Sequence, residues 1–412
     1  MPNVKRATIL TAALFLLLAG SVVNGHQLFY MAAFLLALPT VSYVVGLFAL
    51  RDLEFERETP EAAWEGETVT FRLKVRSRSR LTRLYLQATD SLPRWLEHAR
   101  GEPVLFNVPA MAEVTVEYPV RLQKRGAYVL DSLVVSASDP LGLFSVARSV
   151  PSRAEILVYP FPEPVPDLVY GGADRFGVEE AVVARVRGSG IDPDGVREYQ
   201  PGDPLNRVHW KSTARTGTLN VIEFQEPHAV SLCLVLDLEQ GTDVGEGKDT
   251  TLEYLVRAAA SVAQEAVRMG ATFRLLAGDD RAAAEPGRGT EQLFRVLGGL
   301  ARARATDPSP LYQALPERLG VVPAGVTLVL FTARADARIA DALTHVALGR
   351  SSIGVVFADA LSFAPDSRIN SEEERRHFLD ALSAMRAHVV VVQRRDGEGV
   401  VADALRDARV YA

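Results

Sequence analysis

The sequence predicts a multi-domain membrane protein: an N-terminal transmembrane helical hairpin, an all-β sandwich and a C-terminal doubly wound α/β domain. Three observations carry this expectation. Two apolar stretches without a charged side chain open the chain, and apolar and polar residues then alternate with period two from about residue 53 to 160. From residue 228 onward, short apolar runs alternate with segments whose apolar residues recur at helical spacing. The predicted boundaries are therefore 1–52, 53–160, 161–227 and 228–412, and 412 residues suffice for several cores.

The apolar stretches run over about residues 7–23 and 28–50. The second is long enough to cross a hydrocarbon layer of roughly 30 Å. A cleaved signal peptide is the competing reading of the first, since Lys5-Arg6 supplies a positively charged start. The short connection Asn24-Gly25-His26-Gln27 suits a hairpin better. Lys5 and Arg6 precede the pair and Arg51 and Arg57 follow it, so the positive-inside rule puts both ends and the soluble mass in the cytoplasm. Asp52, Glu54, Glu56 and Glu58 crowd the same exit but count for little in that rule.

Thr68–Arg76 and Val114–Leu122 alternate apolar with polar residues, and Leu133–Ala137 and Glu155–Tyr159 continue the pattern between turn signals. Such runs describe half-buried antiparallel strands and an immunoglobulin-like sandwich. Pro162, Pro164, Pro166, Gly171 and Gly172 then mark a linker, whose end at 179–185 reads equally as strand or helical turn. Beyond Pro227, strands are predicted at 231–238, 272–277, 326–332, 353–358 and 389–393. Helices are predicted at 250–269, 291–303, 338–348, 371–387 and near 401–406. This alternation is that of a doubly wound sheet.

Composition narrows the functions. A net charge of -6 offers no broad cationic field for nucleic acid. The lone cysteine, Cys233, allows no internal disulfide or thiolate cluster and sits in the apolar run SLCLVLDL as a small hydrophobe.

Residues 185–226 hold the densest chemistry. Gly188, Gly190, Gly195 and Gly202 permit turns and Pro193, Pro201 and Pro204 fix backbone between them, while basic and acidic residues are interleaved. Arg197, Tyr199, Gly202, Asp203, Arg207, Trp210, Thr213, Ala214, Arg215 and Glu223, at these offsets, resemble the signature of the bacterial family called domain of unknown function 58. Asn206 departs from it, standing where a first arginine of a pair is expected, which leaves Arg207 to carry that role. Asp139-Pro-Leu-Gly-Leu-Phe144, after Arg125-Gly-Ala-Tyr128, also matches what that family carries, and as residues it reads as a turn and a core aromatic.

The resemblance implies a von Willebrand factor A-like fold for the C-terminal domain, with which a first strand ending at Asp237 agrees. It also implies a MoxR-type AAA ATPase as partner. An A-type domain can bind a divalent cation through an Asp-x-Ser-x-Ser loop, and oxygen ligands at a sheet mouth suit Mg²⁺. Here that loop reads Asp237-Leu-Glu239-Gln-Gly241, without either serine. Asp237 and Glu239 are the candidate ligands, with Thr306 or Ser309 and Thr332 or Asp336 as loosely placed further donors. The competing reading makes Asp237 the cap of the next helix.

A catalytic reading of the signature would use Asp203, His209 or Glu223 as acid or base, but Ser212 and Thr213 lack a nucleophile-elbow context. Arg197, Arg207 and Arg215 suit bidentate pairing with Asp203 and Glu223. A nucleic-acid face is disfavoured, because acids match the basic residues Arg185, Arg187, Arg197, Arg207, Lys211 and Arg215 nearly one for one. The expected function is binding: a membrane-anchored, cytoplasm-facing adaptor acting with the ATPase on protein complexes. No enzymatic activity and no cofactor are expected; the alternatives are a Mg²⁺-dependent A-type module and an envelope-linked hydrolase. In the adaptor, the signature would wedge the sandwich against the A-type domain.

Overall fold

The computed structural model describes residues 2–98, 104–139, 142–162, 193–200, 208–224, 231–278, 283–347, 353–364, 366–367, 369–394 and 410–411. The chain forms two units, 1–159 and 160–412.

The first unit opens with α1 (Pro2–Val23) and α2 (His26–Ala49). Both are long and apolar enough to cross a membrane, over Val4–Val23 and His26–Gly46. The chain reverses at Asn24, in the left-handed region at φ 50°, and Gly25 O accepts the Leu28 amide at 3.0 Å. Small residues let the helices meet. A Cβ added to Gly20 would lie 3.2 Å from Leu28 Cβ, and Ala13 and Ala32 are fully buried.

Nine strands follow: β1 (Leu53–Glu58), β2 (Ala62–Trp64), β3 (Thr68–Ser77), β4 (Arg83–Asp90), β5 (Leu96–His98), β6 (Val104–Val108), β7 (Glu113–Leu122), β8 (Gly126–Ser138) and β9 (Ser145–Tyr159). They build a four-stranded sheet, β1-β3-β7-β5, and a five-stranded one, β2-β9-β8-β4-β6. Period-two patterning does the work. In β3, Val69, Phe71, Leu73 and Val75 turn inward between exposed or half-buried polar residues, to meet Leu86, Val135 and Ile156 of the other sheet in one core.

That core contains a charge. Arg57 Nη2 lies 2.8 Å from Asp90 Oδ1, the Tyr118 hydroxyl donates to Asp90 Oδ2 at 2.8 Å, and Arg57 also donates to the Ser132 carbonyl at 3.0 Å. Burial, with the Asp90 charge, pushes the Tyr118 phenol far above its ordinary value. Arg57 is thus a core residue, not an exposed charge at the membrane exit, so the charge argument rests on Lys5, Arg6 and Arg51.

The second unit begins with β10 (Pro193–Glu198), α3 (Trp210–Thr216) and β11 (Asn220–Phe224). The strands pair antiparallel, so α3 lies within the connection of a two-stranded ribbon where the sequence suggested only turns. Then come β12 (Ser231–Leu236), a small ribbon of β13 (Gly245–Glu246) and β14 (Asp249–Thr250), α4 (Thr251–Arg268), β15 (Thr272–Ala277), β16 (Ala284–Arg288), α5 (Gly289–Arg302) and α6 (Leu311–Gly320). They are followed by β17 (Thr327–Thr332), α7 (Ala337–Ala347), β18 (Ile353–Ala358), α8 (Ala360–Phe363), α9 (Glu372–Ala384), β19 (His388–Val392) and β20 (Val410–Tyr411).

Seven strands form one sheet in the order β16-β15-β12-β17-β18-β19-β20, parallel inside with an antiparallel strand at each edge. β17 and β18 are buried at every residue, as strands covered on both faces must be. One face packs α6, α7 and α9 around Val235, Leu330, Val355 and Cys233, and α4 lies against β12, β15, β17 and β18. Beyond residue 228 the sequence reading missed β16 and α6, along with the short elements β13, β14, α8 and β20. The expected segments at 179–185 and 401–406, and most of the linker, lie outside the described residues.

Candidate functional site

In the seven-stranded sheet the chain leaves β12 for β15 on one side and later returns to β17 on the other. Strand order reverses between β12 and β17, and in open α/β sheets the crevice beyond the carboxyl ends of such a pair is where ligands bind. Asp237 directly follows β12 and Thr332 ends β17.

Asp237 is buried and both its oxygens are engaged. Oδ1 accepts the Glu239 amide at 2.9 Å and Oδ2 accepts the Thr332 hydroxyl at 2.7 Å. Burial pushes its carboxyl up to about 6, against the pull of those two hydrogen bonds. Glu239 is equally occupied: Oε1 lies 3.2 Å from an Arg334 guanidinium nitrogen and Oε2 accepts the Leu311 amide at 3.0 Å. The Thr332 hydroxyl accepts the Arg334 amide at 3.0 Å, which ties that arginine's backbone to the same cluster. The loop is held further by Asp307, whose carbonyl accepts the Gln240 amide at 2.7 Å and whose carboxylate pairs with Arg318.

Asp237 does not cap the next helix. The loop first makes the β13–β14 ribbon, and the Thr250 side chain accepts the Glu253 amide to cap α4. Of the further donors considered, Thr332 alone joins the cluster. Thr306 is exposed and turned to the Arg304 carbonyl, Ser309 donates its amide to Asp307, and Asp336 pairs with Arg338 at 2.6 Å. The donor set does not fit Mg²⁺. Each carboxylate oxygen of Asp237 and Glu239 already accepts a hydrogen bond or ion pair from the chain, and the Arg334 guanidinium already balances the Glu239 charge. Arg334 is the member of this cluster that sequence reading missed; its position two residues beyond Thr332 was the available signal.

The signature segment is a ribbon with a capped helical turn. Tyr199 donates its amide to the Leu219 carbonyl at 2.8 Å, His209 donates its own to Asn220 at 2.8 Å, and Val208 bridges Val221. Thr213 Oγ1 accepts the Asn220 amide at 3.0 Å, fastening α3 to β11, and Gly217 ends the helix at φ 75°. His209 is the N-cap: its Nδ1 accepts the Ser212 amide at 3.3 Å and lies 2.7 Å from Ser212 Oγ. A histidine and serine three residues apart are thereby paired, in a geometry that caps a helix. Trp210 is 69 % exposed, and Ala214 and Arg215 are exposed, with no ion pair from Arg215 to a described residue. In backbone register Arg197 faces Val221 and Glu223 faces Gly195. Gly202, Asp203 and Arg207 lie outside the described residues, and with them the expected Arg207–Asp203 pairing.

Fold and site together define a class: a chain with two apolar N-terminal helices, a two-sheet β layer and a mixed α/β sheet bearing a buried carboxylate cluster at its switch point. Residues 195–362 match the family described as protein of unknown function DUF58. The uncharacterized protein YeaD of Bacillus subtilis (strain 168) is 26 % identical over 328 residues, 76 % of this chain and 77 % of that protein. The likeness to the DUF58 family thus rests on residues 195–362 and on this distant relative.

Among solved structures, a protein of unknown function from Porphyromonas gingivalis W83 is 13 % identical over 26 % of this chain, at a TM-score of 0.19. The match spans about half (48 %) of that protein. The Vibrio cholerae VesB protease is 14 % identical over 28 % of this chain and 34 % of its own, at 0.18. Likenesses this slight carry no argument.

Proposed function

We propose that this chain is a membrane-anchored adaptor whose soluble domains face the cytoplasm and act with a MoxR-type AAA ATPase on protein complexes. In this reading the two-sheet layer is immunoglobulin-like and the α/β unit is von Willebrand factor A-like. The sheet order, with its first strand central and an antiparallel strand at the edge beside β15, supports the second assignment. One observation carries the choice of binding over catalysis. The polar groups at the switch point are spent on each other, Asp237 on Thr332 and Glu239 on Arg334, so the crevice offers a fixed charged surface instead of free acids and bases. The partner's identity comes from the family resemblance. The cytoplasmic orientation comes from Lys5, Arg6 and Arg51.

The test is quantitative co-purification of the full-length protein from membranes of its own host, scoring the ATPase by mass spectrometry. Retention is expected for the wild type and is expected to fall several-fold for Gln240→Arg and Arg338→Glu, both exposed at this mouth. An ATPase absent from the wild-type sample removes the partner. Retention indifferent to both substitutions removes the proposed surface. Titration calorimetry of the same protein with Mg²⁺ addresses the metal-dependent alternative, for which no binding heat is expected.

A further inference from the structure

The two apolar helices are seated on the β layer through the loop after β8. The Arg6 guanidinium stacks 4.0 Å from the Phe144 ring centroid and donates to the Leu143 carbonyl, and the Tyr43 ring meets Phe144 edge-on at 5.4 Å. Asp139 Oδ1 accepts the Phe144 amide at 2.6 Å and fixes the turn, and Leu143 is buried. The Asp139–Phe144 motif is thus a clasp on both helices.

One end of the β layer therefore lies beside the helix exits. Arg83 donates to the Arg51 carbonyl at 3.4 Å, and the Arg78 amide donates to the Asp52 carbonyl at 2.9 Å. From Gly46, where the apolar span ends, α2 continues to Ala49, an advance of about 4.5 Å. The headgroup layer of one leaflet is roughly 5–8 Å deep. The exit of α2 thus stands within headgroup depth, and the loops beside it stand at the same level.

Those loops are apolar and exposed, against expectation for a solvated turn. Leu81 is 69 % exposed, Leu84 46 %, Tyr85 53 % and Met111 68 %. They are neighbours: the Met111 amide donates to the Ser79 carbonyl at 2.9 Å, and Arg83 pairs with Val108 across β4 and β6. A register shift between Arg83 and Leu86 turns Leu84 and Tyr85 outward together. Tyr85 and Met111 sit at φ 56° and 52°, a conformation bulky side chains seldom adopt. Exposed Arg51 and Arg80 and half-buried Arg83 border the patch, none paired to an acid among the described residues, while Arg78 pairs with Glu54 and exposed Asp52 is the nearby opposing charge.

We propose that this end of the β layer is a lipid-binding surface: Leu81, Leu84, Tyr85 and Met111 enter the boundary between headgroups and acyl chains, and Arg51, Arg80 and Arg83 meet anionic headgroups. The proposal rests on α1 and α2 spanning the bilayer. An apolar face rimmed by arginines is the pattern of interfacial binders, and the hairpin already delivers it to the interface, so no association entropy opposes insertion.

The test uses the full-length chain in a Cys233→Ala background, reconstituted into phosphatidylcholine vesicles with and without equimolar phosphatidylglycerol. Nitroxide labels are placed through Leu81→Cys, Leu84→Cys and Met111→Cys. Phe34→Cys serves as the hydrocarbon reference, and Ser91→Cys, at the opposite end of β4, as the aqueous one. The labels at 81, 84 and 111 are expected to collide several-fold less than that at 91 with a water-soluble nickel chelate, and more with oxygen. Arg80→Gln with Arg83→Gln is expected to make them shallower in anionic vesicles only. Labels at 81, 84 and 111 as open to the chelate as that at 91, with 34 immersed, overturn the lipid surface and leave the hairpin standing. Shielding from both probes means a protein covers the patch and overturns it equally. A label at 34 open to the chelate overturns the hairpin reading itself.

Discussion

Asp90 and Asp237 are both buried aspartates, and the protein treats them differently. Asp90, in the core of the β layer, has a guanidinium at 2.8 Å and a phenol on its other oxygen. Asp237, at the sheet mouth, has only neutral donors on its oxygens, and the Arg334 guanidinium goes to Glu239 two residues on. A buried carboxylate with a cation keeps its charge at the expense of burying two charges. One without a cation holds its proton more tightly, and Asp237 is pushed up to about 6. The β layer spends its buried aspartate on an ion pair and a phenol, whereas the α/β unit holds Asp237 on neutral donors near its titration point.

The sharpest way to break this comparison is Asp90→Asn. It leaves Arg57 buried without a counter-charge, and such losses run about 3–5 kcal/mol. Denaturant unfolding of the detergent-solubilised protein should show the β layer destabilised by that order. The corresponding change in the α/β unit should act in the opposite direction. Because the folded Asp237 binds its proton more tightly than the unfolded chain does, stability falls as pH rises from about 4 to about 6. Asp237→Asn should remove that fall, with a ceiling near 3 kcal/mol above pH 6 for a shift of about two units and no gain below pH 4. An unchanged pH profile would mean that Asp237 does not titrate there.

Thr332→Val sharpens the same point by removing one of the two donors. It should move the Asp237 midpoint further up, read by NMR titration of the carboxyl, and destabilise by about 1–2 kcal/mol. The smallest effect belongs to Thr250→Ala, which removes the α4 cap for about 1 kcal/mol and should leave the pH dependence untouched.

Much of the architecture was legible because it is written in periodicity. The alternation in Thr68–Ser77 and the buried run Ile353–Ala358 locate their strands to within a residue. β16 and α6 were not, for physical reasons. Ala284–Arg288 reads AEPGR, with proline and glycine in an edge strand that needs only one paired side, and Leu311–Gly320 carries Pro316 inside the helix. At the candidate site, Asp237 and Glu239 were legible as a strand-end motif. Thr332 was legible only as one of several loosely placed donors and Arg334 not at all, since both are brought in by a parallel pairing across almost a hundred residues that no local pattern encodes. Arg57 was misplaced because a basic residue just after a membrane helix looks like a topology signal until Asp90, on another strand, claims it.

Phe144 is gripped at once by Arg6 of one apolar helix and Tyr43 of the other. A change in the way those helices cross must therefore either carry the ring along or release it. Through that one ring, the crossing of the two apolar helices and the turn that leads into β9 are set together.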